Sequence, residues 1–76
     1  MKPAQLTQTI SDTLVHLRKS ELKVADFVLK HPLEVIRMRI VDLADQADVS
    51  EPTVVRFCRA VGCTGFQDFK LALAQQ

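Results

Sequence analysis

The sequence is short of several things. It has no tryptophan, no tyrosine and only two glycines among its 76 residues. Few glycines beside an apolar fraction of 47% argue for an ordered globular domain and against a disordered tail. No apolar run approaches the roughly 20 residues of a membrane-spanning helix, so no membrane partner is expected. Charge of either sign is not in excess: ten basic residues face nine acidic ones, a net +1. Bulk basicity therefore does not announce a nucleic-acid binder. The two cysteines, Cys58 and Cys63, stand five apart and lack suitably spaced histidines, which argues against zinc or any other metal. Neither a glycine-rich phosphate loop nor a Ser/His/Asp order is present. A chain of this length buries only about 60 to 65% of its extended surface. That suffices for one core and not for a deep cleft, so neither an enzyme nor a cofactor is expected.

What is present is helical. The apolar 47% of the chain is mostly Leu, Val, Ile and Ala, with no alternating strand pattern and no internal repeat. Leu6, Ile10, Leu14 and Leu17 recur at helical spacing and predict a first helix over 4–17. Ser20 is the expected N-cap of a second helix over 21–30, with Leu22, Ala25, Val28 and Leu29 as its main face and Val24 and Phe27 widening it. Pro32 ends that helix, because the residue before a proline disfavours the α region. It also suits the first turn of a short third helix over 32–37. Thr64 and Gln67 have capping-box spacing for a last helix from residue 65 to the end, with Phe66, Phe69 and Leu73 facing inward. The N-terminal residues have no apolar leader core, so no signal peptide is expected. Two cysteines in a helical chain fit a reducing cytosol, so the expected location is cytoplasmic. The final residues stop in mid-helix, without a cap, as if a longer protein continued.

The decisive segment is 40–61. A helix over 40–47, with Ile40, Leu43, Ala44 and Ala47 on one face, is followed by Asp48-Val49-Ser50, too short for anything but a tight turn. Ser50 is a good N-cap, and Pro52 falls in the next first turn, where a missing N–H costs nothing. Val54, Phe57, Cys58 and Val61 make the buried face, and Gly62 is the natural stop. Two short helices joined this way cross steeply and need a small residue where they touch, which Ala44 supplies. Leu43, Ala47, Val49, Val54 and Phe57 fill the wedge. This is a helix-turn-helix pattern. Its one departure is Asp48 where glycine is usual, and Asp tolerates the left-handed region better than most residues. The expected fold is all-α, a single five- or six-helix domain over 1–76 with a homeodomain-like three-helix core.

Three stretches carry a resemblance. LRKSELKVADFVLKHP over 17–32, VSEPTVVRFCR over 49–59 and GFQDFK over 65–70 together resemble the N-terminal domain of RpiR-family transcriptional regulators, and within that family the repressors of hexose metabolism. The resemblance implies a regulator of carbohydrate metabolism that binds a palindromic operator as a homodimer. It also implies a C-terminal sugar-isomerase-type domain, absent from this chain, that senses a phosphosugar effector. One departure is Arg39, where relatives often carry a Ser or Thr cap.

The outer face expected for the second helix of the pair is Glu51, Pro52, Thr53, Val55, Arg56 and Arg59. Arg56 and Arg59 share a face and can bond guanine or phosphate bidentately; the alternative is a solvated surface pair. Ser50 and Thr53 can bond phosphate at the helix N-terminus; the alternative for Ser50 is a cap only. Glu51 can accept from cytosine N4 or pair with a neighbouring cation. Pro52 and Val55 can touch a thymine methyl. Lys70 is either a phosphate clamp or a plain surface lysine, and Arg37 and Arg39 lie where they can reach the DNA backbone. Leu6, Ile10 and Leu14 are the candidate dimer contact, the alternative being that they pack within the chain. The competing function is a protein-interaction module using that same stripe. His16 and His31 read as surface or cap residues, Cys58 as core filler and Cys63 as partly exposed.

Overall fold

The computed structural model describes residues 6–76. Residues 4 and 5, the expected start of the first helix, lie outside them. Six helices follow: α1 (Leu6–Thr13), α2 (Lys19–Lys30), α3 (Pro32–Ile36), α4 (Ile40–Ala47), α5 (Glu51–Ala60) and α6 (Phe66–Gln75), with a 3₁₀ turn over Leu14–His16 after α1. No strand occurs among the described residues.

α1 is shorter than its apolar stripe predicts. The Thr13 hydroxyl donates to the Thr9 carbonyl at 2.7 Å, a back-bond that competes with helix continuation. The chain then tightens to 3₁₀, and Leu17 becomes extended, at φ −84° and ψ 147°. That break lets Leu17 enter the core while Val15 is left exposed. Leu6 and Ile10 are buried and Leu14 packs against them. The stripe offered as a dimer contact is thus used inside the chain, because α1 lies on the same core as α6.

α2 also starts earlier than expected. Arg18, not Ser20, precedes its first turn, and Glu21 accepts from the Arg18 backbone N–H at 3.2 Å. A carboxylate there satisfies one of the four free donors and suits the helix dipole. The inward face is then Glu21, Val24, Ala25 and Val28. Leu22, expected inside, is 38% exposed. α2 ends at His31, whose backbone is bent ahead of Pro32, and α3 buries Val35.

α4 and α5 form as expected. Asp48 sits in the left-handed region at φ 59° and ψ 49°. Val49 N–H bonds the Ala44 carbonyl at 2.9 Å and Asp48 N–H the Asp45 carbonyl at 3.2 Å, a Schellman ending. α5 ends the same way. Gly62 has φ 94°, Cys63 N–H bonds the Cys58 carbonyl at 2.9 Å, and Gly62 N–H bonds the Arg59 carbonyl at 3.0 Å. Cys63 is consequently drawn under and buried, not partly exposed.

Leu43, Ala44 and Ala47 of α4 meet Val54, Phe57 and Cys58 of α5 in the core. Phe57 meets Phe69 of α6 edge-on, with ring centroids 5.4 Å apart, a favoured aromatic geometry. The expected Thr64–Gln67 capping box does not form. Thr64 N–H donates instead to the Asp68 carboxylate at 2.9 Å, and Gly65 precedes the helix without a side-chain cap.

Candidate nucleic-acid interface

α5 is anchored by one face and free on the other. Thr53, Val54, Phe57 and Cys58 are buried, whereas Glu51, Pro52, Arg56 and Arg59 are exposed and Val55 is half-buried. At about 100° per residue, Pro52 and Arg59 fall at the centre of the exposed arc. Val55 and Arg56 flank them on opposite sides, Arg56 on the side toward α2, and Glu51 lies beyond Val55. A helix held from behind with this face exposed can enter a DNA major groove, and Arg56 and Arg59 are long enough to reach base edges or phosphates.

The N-terminus of α5 is closed by its own residues. Ser50 Oγ accepts from Thr53 N–H at 3.3 Å and lies 3.0 Å from Thr53 Oγ1. Ser50 is therefore a cap, exposed at the mouth of the helix. Thr53, expected on the outer face, is only 4% exposed. Its position turns it toward the core side of α5, where its hydroxyl also accepts from Arg56 Nη2 at 3.1 Å.

Arg56 is not a free surface arginine. Its Nε lies 3.7 Å from Glu21 Oε2, an ion-pair distance; the Glu21 side chain is 8% exposed and that of Arg56 50%. Glu21, Arg56, Thr53 and Ser50 thus form a continuous polar chain from the α2–α5 contact to the mouth of α5. Sequence reasoning missed Glu21. Its signal was an acid three, four and seven residues before Val24, Ala25 and Val28, on the apolar stripe itself, where an unpaired carboxylate is costly.

The flanking cations are engaged as well. Arg39 turns back on Asp42, with Nε at 3.2 Å from Oδ2 and Nη2 at 3.2 Å from Oδ1, and its backbone N–H donates to Oδ2 at 3.0 Å. Asp42 thereby satisfies the Arg39 N–H at the start of α4, the reciprocal half of a capping box; a Ser or Thr cap would serve a different donor, the N–H of the first turn. The guanidinium's hydrogen bonds hold the Asp42 carboxyl below the usual carboxylate range. Lys70 donates to the Met38 carbonyl at 2.9 Å and sits 4.9 Å over the Phe66 ring. It is tied to the turn before α4. Arg37 is exposed at the end of α3. Among the described residues, no three His, Cys, Asp or Glu side chains are grouped to hold a metal, and no helix is long and apolar enough to cross a membrane.

Comparison with known proteins agrees with this geometry. Residues 4–76 match the helix-turn-helix domain of the rpiR family. The chain is similar to the HTH-type transcriptional regulator HexR of Escherichia coli, at 50% identity over 92% of the chain and 24% of that protein. It is also similar to the bifunctional protein glk of Paraburkholderia xenovorans, at 57% identity over 76% of the chain and 9% of that protein. The chain therefore spans a quarter or less of these relatives. Among solved structures, the N-terminal domain of ybbH from Bacillus subtilis superposes with a TM-score of 0.86 at 33% identity, covering 93% of this chain and 88% of that one. Vibrio vulnificus NanR, complexed with ManNAc-6P, superposes with a TM-score of 0.90 at 37% identity, covering 93% of this chain and 27% of that one.

Proposed function

Because the chain belongs to the rpiR family of helix-turn-helix domains, we propose that it reads duplex DNA by placing α5 in the major groove, as the operator-binding part of a transcriptional regulator of carbohydrate metabolism. The observation that carries this reading is the exposed arc of α5. Pro52 and Arg59 stand at its centre, flanked by Val55 and Arg56, on a helix whose opposite face is locked by Val54, Phe57 and Cys58. Arg59 is the principal reader, able to bond guanine O6 and N7 or phosphate. Arg56 reads from the edge, Pro52 and Val55 offer apolar contact to a thymine methyl, and Glu51 selects against unsuitable bases. Ser50 and Thr53 act on the DNA indirectly, through the helix start and Arg56. Arg39 and Lys70 flank the reader and hold α4 in place.

One such helix covers few base pairs, and a net charge of +1 neutralises few phosphates. A homodimer on a palindromic operator, with half-sites about one helical turn apart, supplies the missing affinity. Since Leu6 and Ile10 are buried in the chain's own core, the dimer contact lies elsewhere in the whole protein. The same burial removes the surface on which a protein-interaction module was founded. The ManNAc-6P complex of NanR supports a phosphosugar effector for the whole protein; its binding in a further domain and a cytoplasmic location belong to the same proposal. The chain itself carries no catalytic step in this reading.

The test is selection of bound duplexes from a random pool, followed by fluorescence anisotropy on the winner. An inverted repeat bound at least about 10³-fold more tightly than random duplex is expected. Absence of any selected motif would overturn the reading.

A further inference from the structure

Glu21 is a buried acid whose partner is the half-exposed Arg56 at the edge of the reading face. A guanidinium is planar and rigid, with five N–H donors. Here Glu21 Oε2 faces Nε at 3.7 Å, and Thr53 Oγ1 accepts from Nη2 at 3.1 Å. One hydrogen bond and one ion pair along the same edge draw the group toward α2 and restrict its direction, and the Nη1 donors lie on the other side, toward a ligand. Glu21 is itself held, by the Arg18 backbone N–H on Oε1 at 3.2 Å, and Thr53 by Ser50 Oγ at 3.0 Å.

We propose that Glu21 is a positioning residue for base reading: from within the α2–α5 contact it sets the Arg56 guanidinium before DNA arrives, so that its free end meets one base position in each half-site. The inference rests on α5 being the recognition helix. Ordering Arg56 in advance lowers the ordering cost of binding and confines it to one geometry. A floppy arginine would instead settle on any nearby phosphate and lose discrimination. An acid at a DNA interface otherwise opposes binding through its charge, so its two effects have opposite signs and can be separated.

Two measurements on the protein test this. In the wild-type protein without DNA, the ¹⁵N relaxation of the Arg56 Nε–H is expected to match the α5 backbone; fast side-chain motion there overturns the proposal. In Glu21→Gln, which keeps an acceptor for Arg18, affinity for random duplex is expected to stay level or rise. Affinity for the selected operator falls about tenfold, and the pool selected by the variant relaxes at one position per half-site. With Arg56→Gln already in place, Glu21→Gln should change the operator-to-random ratio less than twofold. Thr53→Val, which removes the other hold without changing shape, is expected to relax that same position. A merely structural Glu21 would lower the melting temperature and the active fraction while leaving the selected motif intact, and that result overturns the proposal. If the wild-type protein selects no motif at all, the assignment of α5 fails first; if it selects one that Glu21→Gln preserves, only the positioning role fails.

Discussion

The ammonium of Lys70, on α6, donates to the backbone carbonyl of Met38, in the turn between α3 and α4, at 2.9 Å. It lies at the same time 4.9 Å over the ring of Phe66. One side chain thus ties the last helix to the entry of the helix-turn-helix. Lys70→Met keeps the aliphatic stem and removes the donor. It is expected to cost about 1 to 2 kcal/mol of stability, measured by thermal denaturation, and to leave the salt dependence of DNA binding unchanged. A salt slope reduced by about one unit would instead identify Lys70 as a phosphate contact.

Arg56 and Arg59 share an exposed face but should respond differently. Arg56→Ala leaves the Glu21 carboxylate, 8% exposed, without its charge partner, at a cost of about 1 to 3 kcal/mol. At roughly 4–8 °C per kcal/mol for a domain this small, melting reveals it directly. Arg59→Ala should hold the melting temperature to within about 0.5 kcal/mol and weaken operator binding by about 1 to 3 kcal/mol. Spacing alone suggests two equivalent surface arginines; equal melting temperatures for the two variants would restore that picture.

Asp48 pays a strain that glycine would not, at φ 59°. Its ion pair with Lys23 is long, 3.8 Å, and its side chain is 95% exposed, so it offsets little. Asp48→Gly is expected to be neutral or stabilising by up to about 1 kcal/mol, and Asp48→Val to destabilise by about 1 to 2 kcal/mol, because a β-branched residue is an outlier in the left-handed region. Chemical denaturation of the two variants checks the sign.

The Cys58 thiol is pushed up to about 12, chiefly by burial and then by Cys63 nearby. It should resist thiol reagents at pH 8 in the folded protein and react once the chain unfolds. Because the folded state holds this proton more tightly than the unfolded one, its contribution to stability is complete below the ordinary value of 9.0 and is lost as pH climbs from there toward about 12. Rapid labelling of Cys58 under native conditions would contradict its place in the core.

Leu6→Glu with Ile10→Glu tests where the α1 stripe belongs. Ile10 is fully buried, and an unpaired charge there has no partner to offset its desolvation. The double variant should lose helicity as well as DNA binding. A folded, monomeric product by circular dichroism and ultracentrifugation would return the stripe to the surface of a dimer.

Features whose causes are local could be read from residue order alone. α4 and α5 were legible to the residue at their starts, and so was the turn between them. Ser50, Pro52, Asp48 and Gly62 act on backbone within a few positions of themselves, and the apolar spacing of Leu43, Ala44, Ala47, Val54 and Phe57 names the faces that meet. Features that depend on which element lies across from which emerged only with packing. α2 had to begin at Lys19 and turn Glu21 inward because Leu17 is drawn into the core and Arg56 waits on α5. Leu22 was displaced outward in consequence. Lys70 found a carbonyl on a distant turn, and the α1 stripe was covered by the chain's own core; Thr53, four residues before Phe57, already stood on the inward side by its spacing. Periodicity reports that a side chain is apolar or polar and on which side of its helix it stands. It carries no record of the partner that arrives there, since these pairings join residues far apart in the chain and exist only once the helices have packed.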